Sequence, residues 1–307
     1  MADVDLDRTG PPPPVTATVR IGPFRAGSRR FVLDVTDQAV ADDLAGRLRD
    51  LGASSAEAGA GSEMSVGPTS STTVFLVARR GPAWLTHPWG VWRDGVACET
   101  TVTDEYLRPY VVWEVTRLLL ESCRPLIPVH AAAVSRDGRA IVLAGESHAG
   151  KSTLAAWLTA HGWNFLTDEV ALLERRADRS VWVHPFPRPI GVRRPGPLDE
   201  LVAVTGPDTE VLVPASELGA LGEPAPLAAL VFPDRDDGVA RQLVARHPAT
   251  AARELATHLP RLGEDGRDGF FDIVAVAEDV PAYTLGVDDL AAAATTLGSL
   301  IAPSGAS

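Results

Sequence analysis

Lysine is almost missing from this chain: of its 28 lysines and arginines, only Lys151 is a lysine. Clustered cations are missing altogether. The net charge is −12 and no Lys/Arg-rich block occurs, so nucleic acid is not an expected partner, because holding a phosphodiester backbone rests on counterions released to grouped cations. A small anion held by local dipoles is not excluded by that argument. Cysteine is scarce too. Cys98 and Cys123 are too few for a disulfide framework and read as reduced, partly buried thiols of a cytoplasmic protein. Long apolar runs are absent as well; none approaches the ~18 residues of a spanning helix, so no membrane partner is expected. The opening MADVDLDRTGPPPP is acidic and proline-rich where a signal peptide would be basic and apolar.

What is present suffices for a sizeable core: 307 residues, 45% of them hydrophobic,. Residues 1–15 read as a disordered tail and 16–124 as an N-terminal α+β region. In it "TATVRIGPF" and "RRFVLDV" are strands, and Val40, Leu44, Leu48 and Leu51 follow at helical spacing,. Residues 53–71 have little to pack and read as a flexible loop, followed by the strand "TTVFLVA",. Trp84, Trp89 and Trp92 then sit in a hairpin, where either core packing or a ligand stack would use them. A helix from about Arg108 to Ser122 closes the region.

Residues 125–307 read as a second domain. Its opening predicts a strand (129–135), an Asp-Gly turn at 137–138, a strand (140–144), a glycine loop, a helix (about 151–161) ended by Gly162, and a strand (163–168),. Further strands are expected in "SVWVHPFPRPIGV", "LAALVFPDR" and "VPAYTLGV", and a last helix over Leu290–Ile301. The stretches "RPGPLDE", "FPDRDDGVAR" and "GEDGRDG" read as polar turns or mobile loops.

The loop is Gly145-Glu146-Ser147-His148-Ala149-Gly150-Lys151-Ser152-Thr153. Its spacing, between an apolar strand and a helix, is that of a phosphate-binding loop. Glycines let successive N–H groups turn inward, and the helix N-terminus adds the positive end of its dipole. This is where the lone lysine stands. A compact ammonium reaches between β- and γ-phosphates as a point charge, where a planar guanidinium would pair bidentately with one of them. The Ser152 hydroxyl is a magnesium ligand candidate. Asp168 and Glu169 end the strand that leaves the helix. Asp168 is read as magnesium ligand or general base, the alternative being a solvated strand-end carboxylate. His130, taken alone, reads as a hydrogen-bonded core histidine before a functional group.

The run "VHAAAV", "AIVLAGES", "AGKSTLAAWL", "GWNFLTDEVALL" resembles the nucleotide-binding core of the HPr serine kinase/phosphorylase family, itself similar to the phosphoenolpyruvate carboxykinases. The resemblance covers about residues 128–195 and, loosely, the whole chain. It implies an α/β fold with a P-loop core and mixed sheet behind a smaller α+β region. It assigns phosphate binding to Gly145–Thr153, metal to Ser152, Asp168 and Glu169, catalysis to Asp168 and Lys151, and an electrostatic or proton role to His130. Arg188 and Arg193 become cations for the transferring phosphoryl. The cofactors implied are ATP and Mg2+, and the activity is a kinase acting on a serine of a peptide or small protein. Lasso-peptide tailoring kinases are among the relatives. A homo-oligomer stays open. This chain departs from the family in three places: His148 replaces a usual glycine, the acidic pair is Asp-Glu instead of Asp-Asp, and the signature "RGLGIINV" is missing. HPr itself is therefore not the expected acceptor. A nucleotide-binding module without chemistry and a small-molecule or sugar kinase remain alternatives.

Overall fold

The computed structural model describes residues 11–13, 15, 17–26, 28–52, 72–80, 86–193, 195–201, 210–235, 243–260 and 262–301, the side chains of 210 and 262–268 excepted. Most of the expected tail, the 53–71 loop and Trp84 lie outside the described residues. The chain divides into two compact units, Met1–Ser122 and Cys123–Ser307, and both are mixed α/β. No helix among the described residues is long and apolar enough to cross a membrane.

The first unit runs β1 (Val19–Ala26), β2 (Arg29–Val35), α1 (Gln38–Leu48), β3 (Thr73–Arg79), β4 (Trp89–Arg93), β5 (Val96–Val102) and α2 (Leu107–Ser122). Its sheet keeps that strand order. β2 and β3 pair in parallel, which demands a crossover, and α1 lies within it. Asp37 caps α1 by accepting from the Val40 amide at 3.0 Å,, and Val40, Leu44 and Leu48 turn inward together with Leu51, as their spacing requires. Trp89 and Trp92 are wholly buried, so both belong to the core. The two cysteines are free thiols, Cys123 buried and Cys98 partly so.

The second unit contains β6 (Ile127–Val129), β7 (Ala131–Arg136), β8 (Arg139–Ala144), α3 (Lys151–Ala160), β9 (Asn164–Thr167), β10 (Ala171–Arg175), β11 (Val181–His184), β12 (Ile190–Arg193) and β13 (Glu210–Val213). It continues through β14 (Ala225–Asp234), β15 (Val244–Arg246), α4 (Pro248–Thr257), α5 (Leu262–Asp279), β16 (Ala282–Gly286) and α6 (Leu290–Ile301). The main sheet has the order β6-β10-β11-β14-β8-β7-β9, with β16 against β14 and β15 against β16. β8, β14 and β16 run parallel.

Strand β8 shows why this sheet is covered on both faces. Ala140, Val142 and Ala144 join one apolar cluster with Leu255 of α4 and Ile273 and Val276 of α5. Ile141 and Leu143 join the other with Leu154 and Leu158 of α3 and Leu297 of α6. A strand buried on both faces reads as a continuous apolar run, and each large side chain so buried stabilises the layer stack by about 1.5–3 kcal/mol.

Two expectations need correction. The strand expected over 129–135 is broken at His130: β6 pairs with β10 and β7 with β8, so the chain changes partner there and frees one residue from both ladders. "GEDGRDG" belongs to α5 and is no loop. The buried Ile273, Val276 and Ala277 fix the helix, which then propagates back through glycines whose local preference is against it. Residues 236–241 of "FPDRDDGVAR" lie outside the described residues; Phe232 to Asp234 end β14.

Candidate functional site

β9 runs antiparallel to β7, and β7 to β8, so β8, β9, β14 and β16 all point the same way. Their carboxyl ends share one edge of the sheet, the place where open α/β sheets hold ligands. The glycine loop leaves β8 at that edge and feeds directly into α3. Three loop residues adopt positive φ: Gly145 at 139°, His148 at 71° and Gly150 at 97°. For His148 this conformation costs about 1–2 kcal/mol, since it alone of the three carries a Cβ. Gly150 is the N-cap of α3, and no side chain caps that helix, so its first amides are left for another acceptor.

Lys151 does not extend into solvent. Only 6% exposed, its Nζ donates to the carbonyls of Gly145 at 2.7 Å and Glu146 at 2.9 Å. An ammonium has three donors, and two of them hold the loop in its turn. Burial lowers the Lys151 pKa, against the upward pull of Asp168 and Glu169.

Asp168 follows β9 at the same edge and is 4% exposed. Among the described residues its Oδ1 is buried without a hydrogen-bond partner. Burial pushes its pKa up to about 6, although Arg188, a hydrogen bond from Ser152 and Lys151 all pull down. Glu169 has the opposite fate. Burial works upward on it too, but the hydrogen bond from His130 and the charge of Arg188 prevail, and its pKa is lowered. His130 Nδ1 lies 3.1 Å from Glu169 Oε1 and Arg188 Nη2 3.6 Å from Glu169 Oε2. Two adjacent carboxylates are thereby driven apart in acidity, the arrangement that separates a proton acceptor from a fixed anion.

These groups face a cleft of about 570 Å³. Expected residues on its wall include His130, Lys151, Ser152, Asp168, Glu169 and Arg188, with Ser147, His148, Gly150 and Thr153 from the loop. Gly145, Glu146 and Ala149 do not line it; the first two serve by their carbonyls. The Nδ1 of His148 stands 2.6 Å from Arg193 Nη1, so the ring accepts from a guanidinium at the cleft wall.

The chain is similar over residues 96–190 to the family model described as ScmC, SynChlorMet cassette protein ScmC. That match spans about a third of the 307 residues. Among solved structures, the Hpr(Ser) kinase/phosphatase from Coxiella burnetii matches at 14% identity, over 56% of this chain and 94% of that one, with a TM-score of 0.34. At that score nothing about the site follows. No curated protein matches.

Three residues near the loop were not among those expected from sequence. The Arg235 Nε lies 3.1 Å from where a Cβ on Gly150 would be. Glu254 of α4 comes within 3.9 Å of the same position on Gly145. His258, just after α4, accepts the His130 amide on its carbonyl at 2.7 Å, while burial, then Lys151 and His130, lower its own pKa. Arg235 alone left a signal, as the last residue of "LAALVFPDR". α4 carried none beyond its apolar spacing.

Proposed function

We propose that this protein is a kinase that binds MgATP along Gly145–Thr153 and passes the γ-phosphoryl group to a hydroxyl, a serine of a peptide or small protein. The observation that carries this reading is Asp168: a buried carboxylate with an orphaned oxygen, at a cleft wall beside the loop lysine. Leaving such a group unpaired is costly, and the cost is offset where the carboxylate takes up a proton or holds a metal ion. The cleft volume of about 570 Å³ also falls within the usual range for small-ligand sites.

In this reading the uncapped amides of α3 and the third Nζ donor of Lys151 hold the phosphates. Asp168 accepts the proton of the attacking hydroxyl, and Arg188, whose Nε is likewise buried without a partner, faces the charge that spreads over the phosphoryl oxygens. Glu169, held ionised by His130 and Arg188, fixes the field around Asp168. The residues present fit a magnesium ion: the Ser152 hydroxyl and the two carboxylates are hard oxygen donors, and Asp168 Oδ1 has no other partner,. Bound there, the metal would supply neutralising charge to the phosphates.

Two outcomes follow. Below pH 6 turnover should fall about tenfold per unit, because protonated Asp168, at its raised pKa of about 6, cannot accept a proton; above pH 7 it should be flat. An acid limb near 4, the ordinary carboxylate range, would remove Asp168 as base. Ser152→Ala should raise the magnesium concentration for half-maximal turnover by about tenfold with the nucleotide held constant; an unchanged requirement would take Ser152 off the metal. The reading itself is tested with γ-labelled ATP and serine-bearing peptides beside small alcohols. Label on peptide supports it, label on alcohols alone makes this a small-molecule kinase, and nucleotide binding without transfer to any acceptor makes it a module.

A further inference from the structure

We propose that the carboxyl ends of β14 and β16 form the nucleoside subsite of the cleft, with the Arg235 guanidinium stacked on the purine. This deepens the kinase reading and rests on it.

Strand order provides the direction. Across the shared edge the sequence of strands is β16-β14-β8-β7-β9, with the glycine loop at the end of β8. β9 delivers Asp168 on one side of the loop. Lys151 folds back onto the loop carbonyls under the field of Asp168. Arg188 lies by Glu169, and Arg193 comes from β12, whose Ile190 and Val192 pack with Phe165 of β9. Three cations therefore gather on the side where the γ-phosphoryl would react. Polyphosphate laid along the loop with its γ end there carries its nucleoside toward the opposite side, where β14 and β16 end.

Among the described residues, that side holds one charged group of the cleft wall, Arg235. It is exposed and has no hydrogen bond or ion pair among the described residues. Its Nε stands 3.1 Å from the position of a Cβ on Gly150, and Val287 Cγ2, at the end of β16, stands 3.4 Å from the same point. The guanidinium thus lies along the loop backbone beside an apolar methyl, where a Cβ on residue 150 would make a tight contact with it. A planar, weakly hydrated cation with no anionic partner, on an open wall, suits an aromatic face better than a phosphate already served by three other cations.

Calorimetric titration with MgATP and with magnesium tripolyphosphate, which has no nucleoside, separates the two roles. Wild type should bind MgATP more tightly than tripolyphosphate. Arg235→Ala should weaken MgATP about tenfold and tripolyphosphate less than twofold, the second ligand also showing that the loop is intact. Arg235→Lys, which keeps the charge and loses the plane, should recover no more than about a third of the lost affinity. Equal weakening of both ligands would make Arg235 a phosphate cation and overturn the subsite, as would an unchanged MgATP isotherm. Wild type that binds neither ligand would remove the kinase reading, and the subsite with it.

Discussion

Asp168→Asn should abolish phosphoryl transfer, by about 10²–10⁴-fold for loss of a general base, while leaving MgATP affinity within a few fold and making the protein more heat-stable. The two effects have one cause. Folding raises the Asp168 pKa from its ordinary 3.8 to about 6, chiefly by burial, so the native state binds this proton more tightly than the unfolded one. Stability from the group is then complete below pH 3.8 and is lost as pH rises through 6. At pH 8 the charged carboxylate costs on the order of 3 kcal/mol, taking 1.36 kcal/mol per pKa unit. A neutral amide of the same shape escapes that cost, and the melting temperature should rise by about 5–10 °C at pH 8. The gain should shrink below pH 6 and vanish near pH 4. Melting curves across that range, beside turnover, check it. A variant less stable at pH 8 would mean that the attractions of Arg188 and Lys151 outweigh desolvation, and transfer surviving in proportion to binding would make Asp168 a ligand only.

Lys151→Arg should be nearly as damaging as Lys151→Ala, each lowering kcat/KM by about 10²–10³, the scale of a lost transition-state donor. The reason is geometric. Nζ sits between two carbonyls 2.7 and 2.9 Å away in a place only 6% exposed. A guanidinium keeps the charge but is wider and flat, and cannot point three donors from one atom. It must either push the loop open or withdraw into solvent. Steady-state kinetics of the two variants decide the matter; an arginine variant with near-wild-type turnover would end the point-charge argument.

Such local reasons explain what could be read in advance. The run from β7 to β9 was legible because each step is signalled by neighbours in sequence: Asp137 and Gly138 turn with φ of 51° and 73°, β8 is continuously apolar, Gly150 opens α3, and Gly162, at φ 88°, follows its end. α6 matched its apolar spacing from Leu290 to Ile301. What escaped depends on distant partners. β6 exists because Val129 pairs with Ala171, and α5 because its inward face meets a sheet assembled elsewhere. The same holds in the site. His148 meets Arg193 from 45 residues away. Arg235 reaches the loop because β14 pairs in parallel with β8, a register that no local pattern around Arg235 encodes.

Phosphoryl transfer from this site requires nucleotide binding at the glycine loop, and a calorimetric titration of the full chain with MgATP, wild type against Lys151→Ala, tests it without knowledge of the acceptor. Wild type should show saturable one-to-one binding with a dissociation constant below about 1 mM, the usual range for enzyme substrates, and Lys151→Ala, still folded by circular dichroism, should weaken it at least about tenfold through loss of a charge-assisted contact. Folded wild-type protein that gives no saturable heat, or two superimposable isotherms, would contradict the account.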